Sequence, residues 1–226
     1  MRAILRQVKR DCYGLPSVIP AVILAAGKST RMGRAKATLP AGRGSDTFLT
    51  RTIRTFQHAD VDDVVVVVGH EAEAVRESVA ASGLMARLVV NADYEQGQLS
   101  SVLTGLRAID RPGVNAMLLT LVDAPFVSAE TVRAVVQRYR AVHAPIVRPV
   151  RGAEHGHPVL IDRSLFDAIR AADPASGAKP IVRAHVSAAG DVAIDDEGAY
   201  LDIDTPEDYA RALAIFGARE GEGAGP

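Results

Sequence analysis

Aromatic residues and cysteines are scarce in this sequence, and both shortages limit what the protein can do. Aromatic residues make up 4% of the 226 residues and tryptophan is absent, so a site that captures single-stranded nucleic acid by stacking its bases is not expected. The single cysteine, Cys12, cannot form a disulfide within the chain, and a chain of this length does not need one. Cys12 also has no base partner, which favours an incidental thiol over a nucleophile. We therefore expect a cytoplasmic protein.

Long apolar runs and a surplus of one charge are also missing. The longest apolar stretches, 18–26 and 64–68, fall short of the ~18 apolar residues that a membrane-spanning helix needs. Lys and Arg total 26, Asp and Glu total 27, and the net charge is −1. Such a balance creates no overall field that would attract nucleic acid or a membrane surface. Neither kind of partner is expected.

The basic residues are concentrated in the first quarter of the chain. Residues 1–54 contain eleven Lys or Arg residues, but their acidic residues are just Asp11 and Asp46. A local excess of positive charge attracts anions even when the whole chain is nearly neutral. An anionic ligand near this part of the chain is therefore expected.

The two ends of the chain differ in composition from its middle. Residues 1–17 loosely imitate a signal peptide, but Pro20 interrupts the apolar run that follows, so we expect a poorly ordered extension. Residues 217–226 are rich in glycine and are expected to form a flexible tail. The middle shows no internal repeat or low-complexity linker, which predicts one domain over residues 18–216.

Strand-like and helix-like segments alternate through this domain. Apolar runs typical of strands covered on both faces occur at 18–24, 64–68, 88–90 and 116–122. Helical spacing of apolar residues occurs at 48–56, 72–79, 102–109 and 132–142. A less regular region predicts strands at 145–147, 158–161, 192–194 and 200–203, and helices at 164–172 and from 180. The alternation predicts an α/β fold, a single doubly wound and mostly parallel sheet with helices on both faces.

The segment after the first predicted strand has the composition of a phosphate-binding loop. Small residues let the backbone approach a ligand, glycines permit unusual dihedrals, and basic side chains attract phosphate. The candidate nucleotide-binding residues are Leu24, Ala25, Ala26, Gly27, Lys28, Ser29, Arg31 and Lys36. A P-loop is excluded because Val22 stands where that motif requires glycine. A dinucleotide fingerprint at 42–47 is excluded because its third glycine is missing and no strand precedes it.

Carboxylates follow two other predicted strands. Asp123 comes directly after the strand at 116–122, where a cation such as nucleotide-bound Mg²⁺ would offset its charge. The alternative is a helix cap, although Ser128 lies nearer the start of the next helix. Asp202 and Asp204 lie at the strand predicted at 200–203, and solvated edge residues are the alternative for both.

Polar residues in two loops could distinguish the substrates. Asn91, Ser100 and Ser101 offer neutral hydrogen-bonding groups suited to a base or ribose, with ordinary turn polarity and capping as the alternative. His155 and His157 are two residues apart, but no Cys or further His nearby in the sequence completes a zinc set. We therefore do not expect a zinc site there.

Several of these motifs together resemble a known family. The string Leu-Ala-Ala-Gly-x-Ser-x-Arg-Met-Gly-x-x-Lys, residues 24–36, is similar to the signature of the MobA-like nucleotidyltransferases, especially the molybdenum cofactor cytidylyltransferases. The similarity runs from about residue 18 to residue 213, and includes Asp123-x-Pro125, Gly156-His157-Pro158 and the segment 202–208. It implies a Rossmann-like nucleotidyltransferase fold.

The resemblance also assigns roles to individual residues. It implies that Asp204 joins Asp123 on Mg²⁺, with Asp202 as the fallback. It implies an acceptor-binding motif made of Gly156, His157 and Pro158. The implied acceptor is a molybdopterin-type cofactor, and a molybdoenzyme or its chaperone could receive the product. Ala26, where guanylyl-transferring relatives tend to have glycine, goes with CTP over GTP.

The expected reaction is Mg²⁺-dependent transfer of CMP from CTP to a phosphate acceptor, with release of pyrophosphate. Arg31, Lys36 and Asp123 are the expected catalytic residues, because such transfer rests on positioning and electrostatics. Two alternatives stay open. One is the same chemistry with GTP or another nucleotide, or with another acceptor such as a sugar 1-phosphate or phospholactate. The other is a redox or non-catalytic nucleotide-binding protein on the same scaffold.

Overall fold

The computed structural model describes residues 18–42 and 44–217. The predictions of an extension at 1–17 and of a tail at 217–226, apart from Gly217, concern residues outside this range, as does the prediction for Cys12. Within the described range, no helix is long and apolar enough to cross a membrane.

A mixed sheet forms the centre of the described part of the chain. Its eight strands are β1 (Ala21–Ala25), β2 (Val64–Val68), β3 (Arg87–Val90), β4 (Ala116–Leu121), β5 (Ile146–Arg151), β6 (Glu154–His155), β7 (Val159–Asp162) and β8 (Asp191–Ala193). Their order is β3-β2-β1-β4-β7-β5-β6, and β8 pairs in parallel with β5. The first four strands of this order are parallel, whereas β7 runs antiparallel to β4 and β5. The mostly parallel sheet is therefore confirmed.

Helices cover both faces of this sheet, so the doubly wound arrangement is also confirmed. The described helices are α1 (Phe48–His58), α2 (Ala72–Ser82), α3 (Gln98–Ile109), α4 (Ala129–Val142), α5 (Phe166–Arg170), α6 (Lys179–His185) and α7 (Pro206–Phe216). Successive residues of β1 enter opposite cores because side chains alternate along a strand. Ile23 belongs to the core that includes residues of α1, α2, α4 and α7, while Val22 belongs to the core that includes residues of α3 and α5.

The predicted strand at 18–24 begins later than expected. β1 starts at Ala21, and Val18 forms an isolated bridge with Val114 instead. Pro20 separates the two because proline has no N–H to donate to a strand partner. Its carbonyl still accepts a hydrogen bond from Leu118 N at 2.9 Å.

The predicted strand at 200–203 is wrong. This segment is an irregular loop that follows a short 3-10 turn at Glu197–Ala199. Its backbone groups bond locally or to the loop after β4: Tyr200 N donates to Glu197 O at 3.1 Å, and Ile203 N donates to Asp123 O at 2.9 Å. These bonds replace the ladder of a strand and fix the loop beside the end of β4.

The loops after β1 and β4 lie side by side at the carboxyl edge of the sheet. β1 lies between β2 and β4, so the chain leaves β1 toward one side and later returns on the other. Leu24 of β1 is in register with Leu121 of β4. In open α/β sheets a ligand binds where the strand order reverses in this way, beyond the carboxyl ends of the strands.

Ion pairs connect loops at the opposite, amino edge of the sheet. Asp63, directly before β2, accepts hydrogen bonds from Arg87 at the start of β3 (2.9 Å) and from Arg111 before β4 (2.6 Å). One carboxylate thereby joins three connections of the parallel half of the sheet.

Candidate active site

A cleft of about 380 Å³ opens at the carboxyl edge of β1 and β4, a size typical of small-molecule sites. The loop after β1 forms one wall and the first turns of α3 form another. The predicted site residues that line it are Leu24, Ala25, Ala26, Gly27, Ser29, Arg31, Lys36, Ser101, Asp123 and Asp204. The fold therefore brings together residues from four distant segments of the chain.

The loop after β1 folds back on itself. Ser29 has a φ of 50° and Gly33 a φ of 69°, both in the left-handed region that reverses the chain direction. The Ser29 hydroxyl accepts a hydrogen bond from the backbone N–H of Lys36 at 3.1 Å. The second half of the loop is thereby held against the first, and Lys36 points toward the end of β4.

Lys36 connects the two predicted metal ligands. Its Nζ donates to Asp123 Oδ2 at 3.1 Å and to Asp204 Oδ1 at 2.7 Å. The Lys36 side chain is 10% exposed, so the two carboxylates replace most of the water that would otherwise surround its ammonium group. The more exposed Arg31 also contacts Asp204, with its Nη2 3.1 Å from Asp204 Oδ2.

The pKa values of Asp202 and Asp204 are shifted in opposite directions. The hydrogen bond from Lys36 is the largest influence on the pKa of Asp204 and lowers it, and Arg31 lowers it further against a contribution from partial burial. The pKa of Asp202 is raised, first because surrounding protein atoms desolvate its carboxylate, and also because Asp123 and Asp204 repel a further negative charge. His157 and Lys36 oppose this rise. Asp204 is therefore the more firmly ionised of the two.

The two carboxylates fit a divalent cation. Asp123 Oδ1 is buried and has no hydrogen-bond partner among the described residues, which leaves an oxygen of the type that Mg²⁺ and Mn²⁺ bind. The described part of the chain holds no group of three or more His, Cys, Asp or Glu side chains arranged for a metal. A metal on Asp123 and Asp204 would therefore draw its other ligands from phosphate and water, as Mg²⁺ usually does.

The three predicted residues of the 91–101 segment have different positions. Asn91 is 3% exposed, and its Nδ2 donates to Ser100 Oγ at 2.8 Å and to Ser101 Oγ at 3.0 Å. The Ser100 hydroxyl donates to Gly97 O at 2.8 Å. Ser101 lines the cleft, whereas Asn91 lies behind it and is committed to these hydrogen bonds. Asn91 therefore positions the α3 wall, and Ser101 is the one of the three that reaches the ligand space.

Further cleft residues were missed by the sequence reasoning. Tyr94 and Gln98 line the α3 wall together with Gly97. Lys28, a predicted phosphate ligand, forms an ion pair with Glu95 from that wall. Tyr94, Glu95 and Gln98 follow β3 in the chain. Because ligands bind beyond the carboxyl ends of parallel strands, the position of these three residues could have indicated them. Their residue types alone carried no signal.

The predicted acceptor motif lies beside the cleft, next to the 197–203 loop. A Cβ on Gly156 would lie 2.5 Å from Ala199 O, so the backbone requires glycine there. His157 N donates to Ala199 O at 2.8 Å, and His157 Nδ1 is buried with no partner among the described residues. His157 is close enough to Asp202 to influence its pKa, none of the three motif residues lines the cleft, and their contact with an acceptor stays a prediction.

Known proteins share this sequence pattern. The "Bifunctional IPC transferase and DIPP synthase" of Rubrobacter xylanophilus is 31% identical over 84% of this chain, which spans half of that protein's length. The "Molybdenum cofactor cytidylyltransferase" of Escherichia coli is 27% identical, and the match covers 87% of this chain and 96% of that protein.

Solved structures share the fold, and a family model covers most of the domain. The crystal structure of Rv0371c from Mycobacterium tuberculosis matches with a TM-score of 0.73 and 28% identity, over 88% of this chain and 98% of that one. A manganese complex of Rv0371c matches with a TM-score of 0.68 and 27% identity, over 87% and 98% of the two chains. Residues 21–189 match the model of the MobA-like NTP transferase domain. With the glycine-containing loop after β1 and the carboxylates of Asp123 and Asp204 at one sheet edge, the chain belongs to the MobA-like NTP transferase family and is a nucleotidyltransferase.

Proposed function

We propose that the protein transfers CMP from CTP to the phosphate of a molybdopterin-type cofactor in the cytoplasm, with Mg²⁺ as the metal and pyrophosphate as the other product. The observation that carries the proposal is the contact of Lys36 with both Asp123 and Asp204, directly beside the loop after β1. It supports a site that combines a metal-binding pair of acids with basic groups for a triphosphate.

The loop after β1 supplies the groups for the phosphates. Gly27 has open space where a side chain would stand, so the backbone can approach a phosphate closely. Ser29 and Arg31 line the same wall of the cleft. Arg31, with its planar fork of donors, suits the outer phosphates, and the shorter reach of the buried Lys36 suits the α-phosphate.

Asp123 and Asp204 would hold the metal, one on each side of the present position of Lys36 Nζ. A divalent ion bound there supplies charge neutralisation and a fixed geometry for phosphate oxygens. Asp123 lies at the end of β4. The loop that carries Asp204 is fixed beside it, because the neighbouring Ile203 N donates to Asp123 O. The chain therefore presents both acids from backbone that is already in place.

The residues have little covalent chemistry to perform. A phosphate monoester with a second pKa of about 6 is mostly a dianion at neutral pH, so an acceptor oxygen can attack the α-phosphorus without a general base. The bond to the α–β bridging oxygen breaks and pyrophosphate leaves. Lys36 would stabilise the charge that develops on the α-phosphate, and Arg31 the charge on the leaving group.

Two features support the choice of nucleotide and acceptor. Ala26 lines the cleft in a buried position, where the resemblance associates alanine with CTP. The cytidylyltransferase of E. coli is related to this chain over nearly its whole length. Gly156, His157 and Pro158 do not line the cleft, but His157 is close enough to Asp202 to influence its pKa, and we place the acceptor on that side.

The proposal is tested by measuring pyrophosphate release with each of the four nucleoside triphosphates, in the presence of Mg²⁺ and with or without molybdopterin-type acceptor. We expect CTP to be the best donor and the release to depend on the acceptor. A tenfold preference for GTP would reject the choice of base. Equal release with a sugar 1-phosphate would reject the choice of acceptor.

A further inference from the structure

Three basic side chains of the loop after β1 form ion pairs with acids of this same chain. Lys36 contacts Asp123 and Asp204, and Arg31 contacts Asp204. Lys28 contacts Glu95, which lies between β3 and α3. Each of these cations is a candidate phosphate ligand. A triphosphate that enters this arrangement therefore meets cations that already have partners.

The pair of Lys36 with Asp123 is the most buried of these contacts. Its side chain is 10% exposed, and Asp123, at 20%, is also largely covered. A largely buried ammonium loses most of its hydration, so leaving both carboxylates without a new anionic partner would be costly. If Lys36 left, Asp123 would lose the cation that it contacts, and Asp204 would keep its contact with Arg31. Neither side of this cluster can change partners alone.

A divalent ion with its polyphosphate can exchange both partners at once. A charge of +2 held by Asp123 and Asp204 would replace the charges that Lys36 and Arg31 now supply, and these two side chains would become available to phosphate oxygens. The Oδ1 of Asp123 is buried and has no partner among the described residues, so it would be an unused acceptor for the ion at this site.

We propose that Lys36 acts as a stand-in cation which the metal displaces from Asp123 and Asp204, so that metal binding releases Lys36 and Arg31 to the triphosphate. This inference rests on the proposed use of a metal-bound nucleotide. It makes Lys36 a competitor of the metal in the absence of nucleotide and a ligand of the nucleotide in its presence. It also makes Asp204 an inhibitor of metal-free nucleotide binding.

The first test measures binding of Mn²⁺ alone, by the electron paramagnetic resonance signal of the free ion. Lys36→Met removes the competitor while keeping an unbranched side chain, and we expect Mn²⁺ to bind about tenfold tighter than in the wild type, within the usual range of coupling between sites. The matched control is Lys28→Met, which removes a cation of the same loop that pairs with Glu95. It should change the affinity less than about twofold, because long-range Coulomb effects in water are small.

The second test measures CTP binding by calorimetry in the presence of EDTA. Asp204→Asn frees Arg31 and one contact of Lys36, and we expect CTP to bind about tenfold tighter than in the wild type. Asp202→Asn removes the same charge two residues away and should gain less than about threefold. Added Mg²⁺ should then strengthen CTP binding far more in the wild type than in Asp204→Asn.

The inference is overturned if Lys36→Met binds Mn²⁺ no tighter than the wild type, or if Lys28→Met gains as much. It is also overturned if Asp202→Asn and Asp204→Asn gain equally in EDTA. Should Lys36→Met fail to fold, as judged by circular dichroism, the comparison of the two aspartate variants decides. Neither test requires turnover. A protein that releases no pyrophosphate but shows both shifts would contradict the proposed reaction and leave the exchange supported.

Discussion

The backbone N–H of Ile203 donates to the backbone carbonyl of Asp123 at 2.9 Å. This bond fastens the loop that carries Asp204 to the end of β4, and it uses no side chain of the candidate site. The same loop is anchored at its other end, where Asp208 Oδ2 accepts from Thr205 N at 3.1 Å and the Thr205 hydroxyl caps α7. The segments that carry the two acids are therefore held in place by bonds that do not involve Lys36.

Asp123→Asn should lower turnover by about 10²-fold or more, on the scale of losing one preorganised charged group. The substitution keeps the shape of the side chain but removes the charge that a divalent ion needs. Pyrophosphate release at saturating Mg²⁺ and CTP measures the effect. Asp62→Asn, an exposed residue at the other edge of the sheet, is the control. Full activity in Asp123→Asn would show that the reaction does not run through a metal on this carboxylate.

Arg31→Ala and Lys36→Ala should each reduce turnover by about 10²-fold, because each removes a cation aimed at developing phosphate charge. Arg34→Ala is the matched control: Arg34 is an exposed arginine of the same loop that lies outside the residues lining the cleft. Steady-state kinetics with CTP compare the three variants. Wild-type kinetics in the first two, or an equal loss in Arg34→Ala, would contradict the assignment.

Asn91→Ala and Ser101→Ala should separate a supporting residue from a ligand-facing one. Loss of the Asn91 amide leaves the buried Ser101 and the half-buried Ser100 without this donor and should lower the free energy of unfolding by about 1–3 kcal/mol. Ser101→Ala should raise the KM for CTP with a smaller effect on unfolding. Urea denaturation and kinetics measure both. A change in KM for Asn91→Ala alone, with unaltered stability, would reverse the roles.

Asp63→Asn should reduce stability at neutral pH but not in acid. Desolvation is the largest single influence on the pKa of Asp63 and raises it, but the hydrogen bonds and charges of Arg111 and Arg87 together outweigh it and lower the pKa. A lowered folded pKa gives stability above the unfolded value of about 3.9, and this stability is lost as the pH falls through the folded value. We expect a deficit of about 1–2 kcal/mol at pH 7, modest because both arginines are half exposed.

Unfolding by urea between pH 7 and pH 3 checks this expectation. The deficit of Asp63→Asn should shrink as the pH falls below about 4. Asp62→Asn, the exposed neighbouring residue, should show little deficit at any pH. A deficit of Asp63→Asn that stays constant down to pH 3 would assign the effect to packing instead of charge.

The sequence predicted the parts of the site that depend on local pattern. Apolar runs located the ends of β1 and β4, and these ends identified the loop at 24–36 and Asp123. The contact of Lys36 with Asp204 could not be predicted, because it depends on how the 197–203 loop crosses the sheet edge. The strand predicted at 200–203 is wrong for the same reason: Ile203 is buried and bonds to Asp123 O without the partners of a strand ladder, and Tyr200 and Leu201 are only partly buried.

Residue types alone also could not indicate which side chains would form hydrogen bonds with each other in the fold. Asn91, Ser100 and Ser101 looked equivalent as polar residues, yet Asn91 is spent on the two hydroxyls. Tyr94 and Gln98 gave no signal, because their role comes from the position of α3 beside the loop after β1. Side-chain type limits the possible chemistry, but the three-dimensional neighbours decide which residue performs it.

The contacts of Asp63 lie at the edge of the sheet opposite to the cleft, and this separation has a consequence for how the protein can change. Substitutions that improve or weaken durability at that edge are expected to leave substrate preference untouched. Selection, in nature or in the laboratory, could therefore exchange cleft residues while compensating their cost at a remote place. One edge of the sheet can therefore change in substrate preference while the opposite edge maintains stability.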